Sequence, residues 1–427
     1  MDNRLSTTIL LSSSVLFKVC AAVASFMLTA SISRAFNIEE AGIFFSLLSS
    51  VIIISAVTIA GRDIYVMRST TRLFIAKEFH ALRLFYKKVA TEVFYSTLAV
   101  VLLLLVAFLV TPFGLSKKYG LEFFAFVLTL PFFVMTIING EFLRGVGRLQ
   151  SLVLLHGLLL PVLAALLISL YSIFYSVGLV QAFAIYTGTT CFVWFLSEVL
   201  CHNAKKGLTV QAERQPGCSG DSAIEKDSGY LWLSVLAIAN VFLQYAPVVI
   251  LDYSNDSASA SAFFVAFRLA SLLSFCLLGV NVVVAPLMAK AFRLSDFGRL
   301  KRLLLISSAV GCLTSFPFFI AFVFYGEFFL RLFGDSYVAA KTTLLILSFG
   351  QLINASCGSV LNLLIMTGRE QVVASIVVSA VVIVGSIIAL LPITITNLSI
   401  LLALANVFIN LTAFVACWAF VFPSFRS

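Results

Sequence analysis

The chain carries the same pattern twice, about 220 residues apart, inside a series of twelve long apolar runs, and this duplication leaves few architectures open. Ala41-Gly42-Ile43-Phe44-Phe45 opens the second run and Ala260-Ser261-Ala262-Phe263-Phe264 the eighth, an offset of 219. Gly147-Arg148-Leu149-Gln150 joins the fourth and fifth runs, and Gly368-Arg369-Glu370-Gln371 the tenth and eleventh, an offset of 221. Six spans bring both ends of a unit to one side of a membrane, so a second copy keeps the orientation of the first. Parallel repeats of this kind belong to secondary transporters, in which one half moves against the other.

The runs are long enough to span. Each holds about 20 apolar residues, sufficient for a hydrocarbon core of about 30 Å. They fall near 9–32, 41–61, 89–111, 121–140, 151–172, 178–200, 230–252, 260–288, 303–325, 340–366, 372–393 and 398–421. Hydrophobic residues make up 61% of the chain and charged residues 11%, which leaves no room for a separate soluble domain. The expected class is an all-α integral membrane protein of about twelve transmembrane helices in two six-helix bundles. Residues 1–205 are expected to form the N-terminal bundle, 206–229 a polar linker and 230–427 the C-terminal bundle.

The net charge of +9 is an orientation signal and not a nucleic-acid footprint. With the N-terminus inside, the inner segments hold 21 basic residues and the outer ones 5. The positive-inside rule then puts both termini in the cytoplasm. Residues 62–88 mix basic groups with Leu73, Phe74, Leu82 and Phe85, which fits either a helix on anionic headgroups or an inward extension of the third span. The eight cysteines lie in spans or the inner loop, with no C-x-x-C, so neither disulfide nor metal site is indicated.

Catalytic signatures do not appear. The three histidines, His80, His156 and His202, are widely spaced. No metal, cofactor or nucleotide-driven machinery is implied, and short outer loops leave little room for a polymerase or ligase site. What remains is a set of polar groups inside apolar spans, where they are costly and point to function. Lys18 and Arg268, one in each half, are expected near the midplane and suit an anionic substrate. Ser14, Lys18, Ser25 and Thr29 share one helical face, as do Ser261, Arg268 and Ser271. Asn240 and Gln244 share a face of the seventh span, and Gln351, Asn354, Gly358 and Asn362 one of the tenth. Such stripes should face a wet cavity or another helix, interhelical hydrogen bonding being the simpler role for the amides.

The central segment of 229–302, ASAFFVAFRLASLLSFCLLGVNVVVAPLMAK, resembles polysaccharide flippases. So do 332–371 and the N-terminal stretches SISRAFNIEEAGIFFSLLS and GEFLRGVGRLQ. The chain is similar over nearly its whole length to Wzx-type O-antigen and exopolysaccharide transporters of the multidrug/oligosaccharidyl-lipid/polysaccharide exporter superfamily. The resemblance implies two six-helix bundles about a pseudo-twofold axis, a central cavity open to one side at a time, and a bacterial inner-membrane location. It implies as cargo an oligosaccharide repeat unit on undecaprenyl pyrophosphate, moved to the outer leaflet without enzymatic turnover, with Lys18 and Arg268 the nearest candidates for the pyrophosphate. A polysaccharide polymerase and a chain-length regulator are implied partners beside membrane lipids, and a monomer suffices. The competing readings are a multidrug cation antiporter of the same superfamily and a membrane polymerase or ligase.

Overall fold

Every expected apolar run becomes helix, because a backbone in hydrocarbon can satisfy its N–H and C=O groups only within its own segment. The computed structural model describes residues 2–110, 115–148, 151, 153–214 and 229–421. Among them there is no strand, and twelve helices are long and apolar enough to cross a membrane. The chain is a multi-pass membrane protein.

In order, the helices are α1 (Asp2–Ala35), α2 (Ile38–Ile59), α3 (Arg62–Ile75), α4 (Phe79–Val110) and α5 (Leu115–Gly145). A π-helical turn at Val153–Leu159 leads into α6 (Leu160–Phe174), followed by α7 (Leu179–Arg214) and α8 (Gly229–Tyr253). Then come α9 (Ser257–Arg293), α10 (Phe297–Arg331), α11 (Lys341–Ser356), α12 (Val360–Met366), α13 (Glu370–Ile388) and α14 (Ile395–Phe420). Two compact units result. One comprises residues 16–36 and 47–234, and the other 1–15, 37–46 and 235–427. Most of the linker expected at 206–229, residues 215–228, lies outside the described residues.

Within the C-terminal unit the two copies of the repeated motif meet. Phe45 of α2 stacks on Phe264 of α9, ring centroids 4.3 Å apart and planes 9° from parallel. These phenylalanines hold equivalent places in the duplicated sequence. The equivalence extends to the helix starts. Asn37 Oδ1 accepts the Glu40 N–H at 2.8 Å, and Asp256 Oδ1 accepts the Ser259 N–H at 3.0 Å, the same N-cap 219 residues apart. Gly42 makes the approach possible, since a Cβ there would lie 1.8 Å from the Ser257 carbonyl oxygen.

The Gly-Arg pairs are also equivalent. Gly147 and Gly368 have φ of 92° and 75°, the left-handed conformation that ends a helix. In each, the arginine N–H reaches back to a carbonyl of the last helical turn, Arg148 to Leu143 at 3.0 Å and Arg369 to Leu364 at 2.9 Å.

Three regions differ from the sequence reading. Residues 62–88 are neither one surface helix nor one extension: 62–75 form α3, and 79–88 prolong α4. Val66, Ser69, Thr70 and Leu73 of α3 are buried at helical spacing, and Tyr65 packs edge-on against Phe85 of α4, 5.3 Å between centroids. The segment 326–339, by sequence the longest of the short outer loops and similar to a re-entering turn, is largely helical: α10 runs on to Arg331 and a 3-10 turn fills Asp335–Ala340. Its Tyr337 is buried, and the hydroxyl shares a hydrogen bond of 2.7 Å with Ser261. The tenth span is broken at 357–359, where Gly358 has φ 67°. Gly358 and Asn362 therefore do not continue the face of Gln351 and Asn354.

Two glycines separate packing from backbone freedom. Gly42→Ala meets a carbonyl and should lower the apparent melting temperature of the purified protein by the equivalent of about 2 kcal/mol or more. Gly368→Ala has nothing within 4 Å of the added carbon and should cost about 1 kcal/mol through φ alone. Detergent-solubilised thermal melts of both variants check the order, and equal losses would contradict it.

Candidate functional site

Polar groups at membrane depth need partners from neighbouring helices, so the informative ones are those whose bonding capacity is left over. In the C-terminal unit Gln351 and Asn354, two of the expected polar residues, are spent on holding helices together. Ser274 of α9 donates to Gln351 Oε1 of α11 at 2.6 Å, and Asn410 of α14 donates to Asn354 Oδ1 at 3.1 Å. Asn240 Nδ2 donates to the Leu236 carbonyl of its own helix at 2.9 Å, and Gln244 is exposed. The broken tenth span is bound the same way. Ser308 Oγ donates to the Cys357 carbonyl at 3.1 Å, the Ser359 N–H donates to Ser307 Oγ at 3.2 Å, and Ser359 Oγ donates to Asn281 Oδ1 at 2.5 Å. Irregular backbone is tolerated at this depth only when protein surrounds and satisfies it.

Arg268 is different. It lies roughly 16 Å along α9 from Ser257 at 1.5 Å per residue, about halfway into a core of about 30 Å. The side chain is half-buried, and its guanidinium carbon sits 5.3 Å from the centroid of the Phe264 ring. Its Nε is buried with no hydrogen-bond partner among the described residues. The neighbouring Ser271 hydroxyl donates to the Arg268 carbonyl at 2.6 Å and so competes for nothing on the guanidinium. A permanent cation with an unspent donor at this depth can receive an anion.

The N-terminal unit holds a charged cluster where α1, α3 and α5 come together. Glu141 and Arg144 of α5 pair at 3.4 Å, the carboxylate largely buried at 9% side-chain exposure. Arg144 acts electrostatically on Lys18 of α1, and Asp63 of α3 on Glu141. Lys18 stands midway along α1, roughly 25 Å from Ala35, beside Arg144 near the end of α5. Ser25 is half-buried and its carbonyl accepts the Thr29 hydroxyl at 2.9 Å, while Thr29 and Ser33 are buried. The side chain of Ser14 lies outside the described residues.

Glu141 is not among the residues that the sequence singles out. The signal was an acid–base pair three residues apart inside GEFLRG, at the end of an otherwise apolar span. Asp63 Oδ1 is buried without a partner among the described residues. Burial pushes its carboxyl above the usual 3.8, opposed by the Ile64 N–H. His156, on the π-helical turn, is a further unassigned group: its Nε2 is buried without a partner among the described residues, and its ring meets Phe133 at 4.5 Å. Among the described residues no group of three or more His, Cys, Asp or Glu could hold a metal ion.

No protein-family model and no curated protein matches the chain. Solved structures do. An inward-facing multidrug resistance MATE family transporter of the MOP superfamily superposes with a TM-score of 0.62 at 14% identity, over 93% of each chain. A Vibrio cholerae MATE transporter, VcmN, gives 0.59 at 14% identity, over 96% of this chain and 94% of that one. The lipid II flippase MurJ in an inward closed conformation gives 0.57 at 12% identity, over 96% and 87%. These likenesses establish a shared fold.

The Asp63 carboxyl makes a signed prediction. An acid whose native pKa is raised stabilises the fold while protonated and loses that contribution as pH rises from 3.8 through its native value. Asp63→Asn should therefore melt higher than the native sequence at pH 7, with the gap closing as pH falls toward 4. A gap that is constant with pH would mean the carboxylate is solvated.

Proposed function

We propose that the chain is a flippase for lipid-linked oligosaccharides, of the Wzx type, in a bacterial inner membrane with both termini cytoplasmic. Its cargo on this reading is an undecaprenyl-pyrophosphate-linked repeat unit for O-antigen or another surface polysaccharide. The observation that carries it is Arg268, a mid-span cation with a buried Nε left without a partner among the described residues. Guanidinium binds phosphate through parallel N–H donors, a geometry an ammonium cannot reproduce. Stripping water from a diphosphate in hydrocarbon is prohibitive unless protein dipoles and charges replace it. Lys18, in the N-terminal unit, is the second cation we propose as a candidate for an anionic group. A fold shared with both a lipid II flippase and multidrug transporters is compatible with such cargo. Export then requires a shift between inward- and outward-open populations. A polymerase and a chain-length regulator would receive the product, and one chain is sufficient for the step.

A second reading, a cation-coupled multidrug antiporter, draws on a specific observation: the carboxyl groups of Glu141 and Asp63 are both buried in the N-terminal unit and act on one another. Cation antiport needs such a carboxylate, whereas diphosphate binding needs the cations.

The deciding experiment measures the leaflet of completed polyprenyl-linked repeat units, with a membrane-impermeant probe, in a deletion strain carrying an inducible copy. Units held inside and released on induction support the flippase. Units unaffected by induction, with restored drug resistance, support the antiporter. In the first case Arg268→Ala should lower export about ten- to a hundredfold, the loss of one charged hydrogen bond. Arg268→Lys should restore only part of it, with both variants at normal membrane levels. Full export by Lys18→Ala combined with Arg268→Ala would remove both assignments.

A further inference from the structure

A second basic site lies in the N-terminal unit, away from the charged cluster around Glu141. The first turns of α4 and the last of α7 enclose a groove of about 730 Å³. Arg83 and Lys87 line one wall, a turn apart on α4, and Lys205 and Lys206 the other, with Glu198 as the single carboxylate. His202 completes this end. Four cations facing one carboxylate leave a strong excess of positive charge even with the histidine neutral.

The site is built and is more than a solvated fringe of lysines. Lys205 is half-buried, with its ammonium 4.5 Å above the Tyr86 ring. Tyr86 is buried and fixed in turn: its hydroxyl donates to Asn139 Oδ1 of α5 at 2.5 Å, and Asn139 Nδ2 donates to Ser197 Oγ of α7 at 2.9 Å. This buried chain ties α4, α5 and α7 together and gives Lys205 a fixed ring to rest on.

The groove is graded from charge to hydrocarbon. Moving along α4 from Arg83 and Lys87, the lining becomes Phe94 and Tyr95; along α7, from Lys205, it becomes Trp194. Beyond it the outer faces stay apolar and exposed, through Leu98 and Leu102 on α4 and Phe195 and Phe192 on α7. A ligand matching this order has an anionic head and a long apolar tail running parallel to the helices. The head lies at the end that the charge asymmetry of the loops assigns to the cytoplasm.

We propose that this groove binds the phosphate headgroup of an anionic glycerophospholipid of the inner-side leaflet, with the acyl chains along α4 and α7. The site is independent of Arg268 and does not rest on the flippase reading. Juxtamembrane lysines and arginines each contribute to attraction for anionic lipid, and a fixed cluster with an aromatic wall adds selectivity for a bound over a merely neighbouring lipid.

The chain supplies its own probe, because Trp194 is one of only three tryptophans. Full-length protein carrying Trp232→Phe and Trp418→Phe is reconstituted into phosphatidylcholine vesicles. Increasing fractions of acyl-brominated phosphatidylglycerol or acyl-brominated phosphatidylcholine are added, and quenching of Trp194 is read. Half-maximal quenching should need at least about fivefold less of the anionic lipid. The preference should vanish in Arg83→Gln/Lys87→Gln/Lys205→Gln and persist in Lys205→Arg. If the triple variant is not monodisperse, Lys87→Gln/Lys206→Gln, which changes only exposed side chains, should still weaken the preference. Equal quenching by the two lipids, or a preference that survives both sets of substitutions, overturns the proposal. So does competition by millimolar inorganic phosphate, which would make it a free-anion site, or displacement of the anionic lipid by a polyprenyl pyrophosphate at trace levels, which would make it a cargo site.

Discussion

Lipid removes the force that assembles a soluble helical protein. Acyl chains are as apolar as leucine, so burying leucine between helices gains little, and close packing together with interhelical hydrogen bonds must do the work. The C-terminal unit is organised around that limit. Gly42 brings α2 against the start of α9, and Gly311 brings α10 against the Ala355 carbonyl of α11, where a Cβ would lie 2.1 Å from the oxygen. The polar pairs Ser274–Gln351, Asn354–Asn410 and Ser261–Tyr337 each join different elements. The N-terminal unit uses the same means, with Thr129 sharing a hydrogen bond of 2.7 Å with Thr187 and the Tyr86–Asn139–Ser197 chain joining three helices. Gln351 and Asn354, which sequence alone marks as site candidates, are therefore part of what holds the C-terminal unit together.

That is also why fold was more legible than site. Span number and helical class follow from run length, because hydrocarbon thickness dictates about 20 residues and permits little else. Repeat motifs survive as readable text because they sit at caps and turns, where few residue types serve: an Asx side chain at 37 and 256, a glycine of positive φ at 147 and 368. The break at Gly358 was not legible, since a glycine within an apolar run reads equally as a helical position packed tightly. Its left-handed φ is set by the backbone of α10, a Cβ there falling 2.6 Å from the Ser308 nitrogen.

Candidate cations divide along the same line. Arg268 was legible because no other charged residue lies between Asp256 and Lys290. Lys18 was legible as a residue but its surroundings were not, because Arg144, which acts on it, lies more than a hundred residues away in sequence. The basic groove on α4 and α7 was hidden for a related reason. Its cations read in sequence as part of the charge asymmetry of the loops, and only the packing of two distant helices brings them to one groove.

Duplication and chemistry converge on a single stack of rings and charge. Phe45 lies on Phe264, and the guanidinium of Arg268, one helical turn further along α9, lies over that same Phe264 ring. A cation over an aromatic face gains about 0.5–2 kcal/mol, more when water is excluded. That offsets part of the cost of a charge in a spanning helix without using any N–H donor. A carboxylate partner would have neutralised the arginine and left nothing for an anion. An aromatic face holds the cation in place while leaving its hydrogen bonds unspent. The equivalent position in the first copy of the repeat carries no charge: Arg268 falls opposite Ser49 at the 219-residue offset, and Ser49 is buried. The repeat thus provides the ring stack from both copies, while the charge belongs to one and is not supplied by the symmetry of the scaffold.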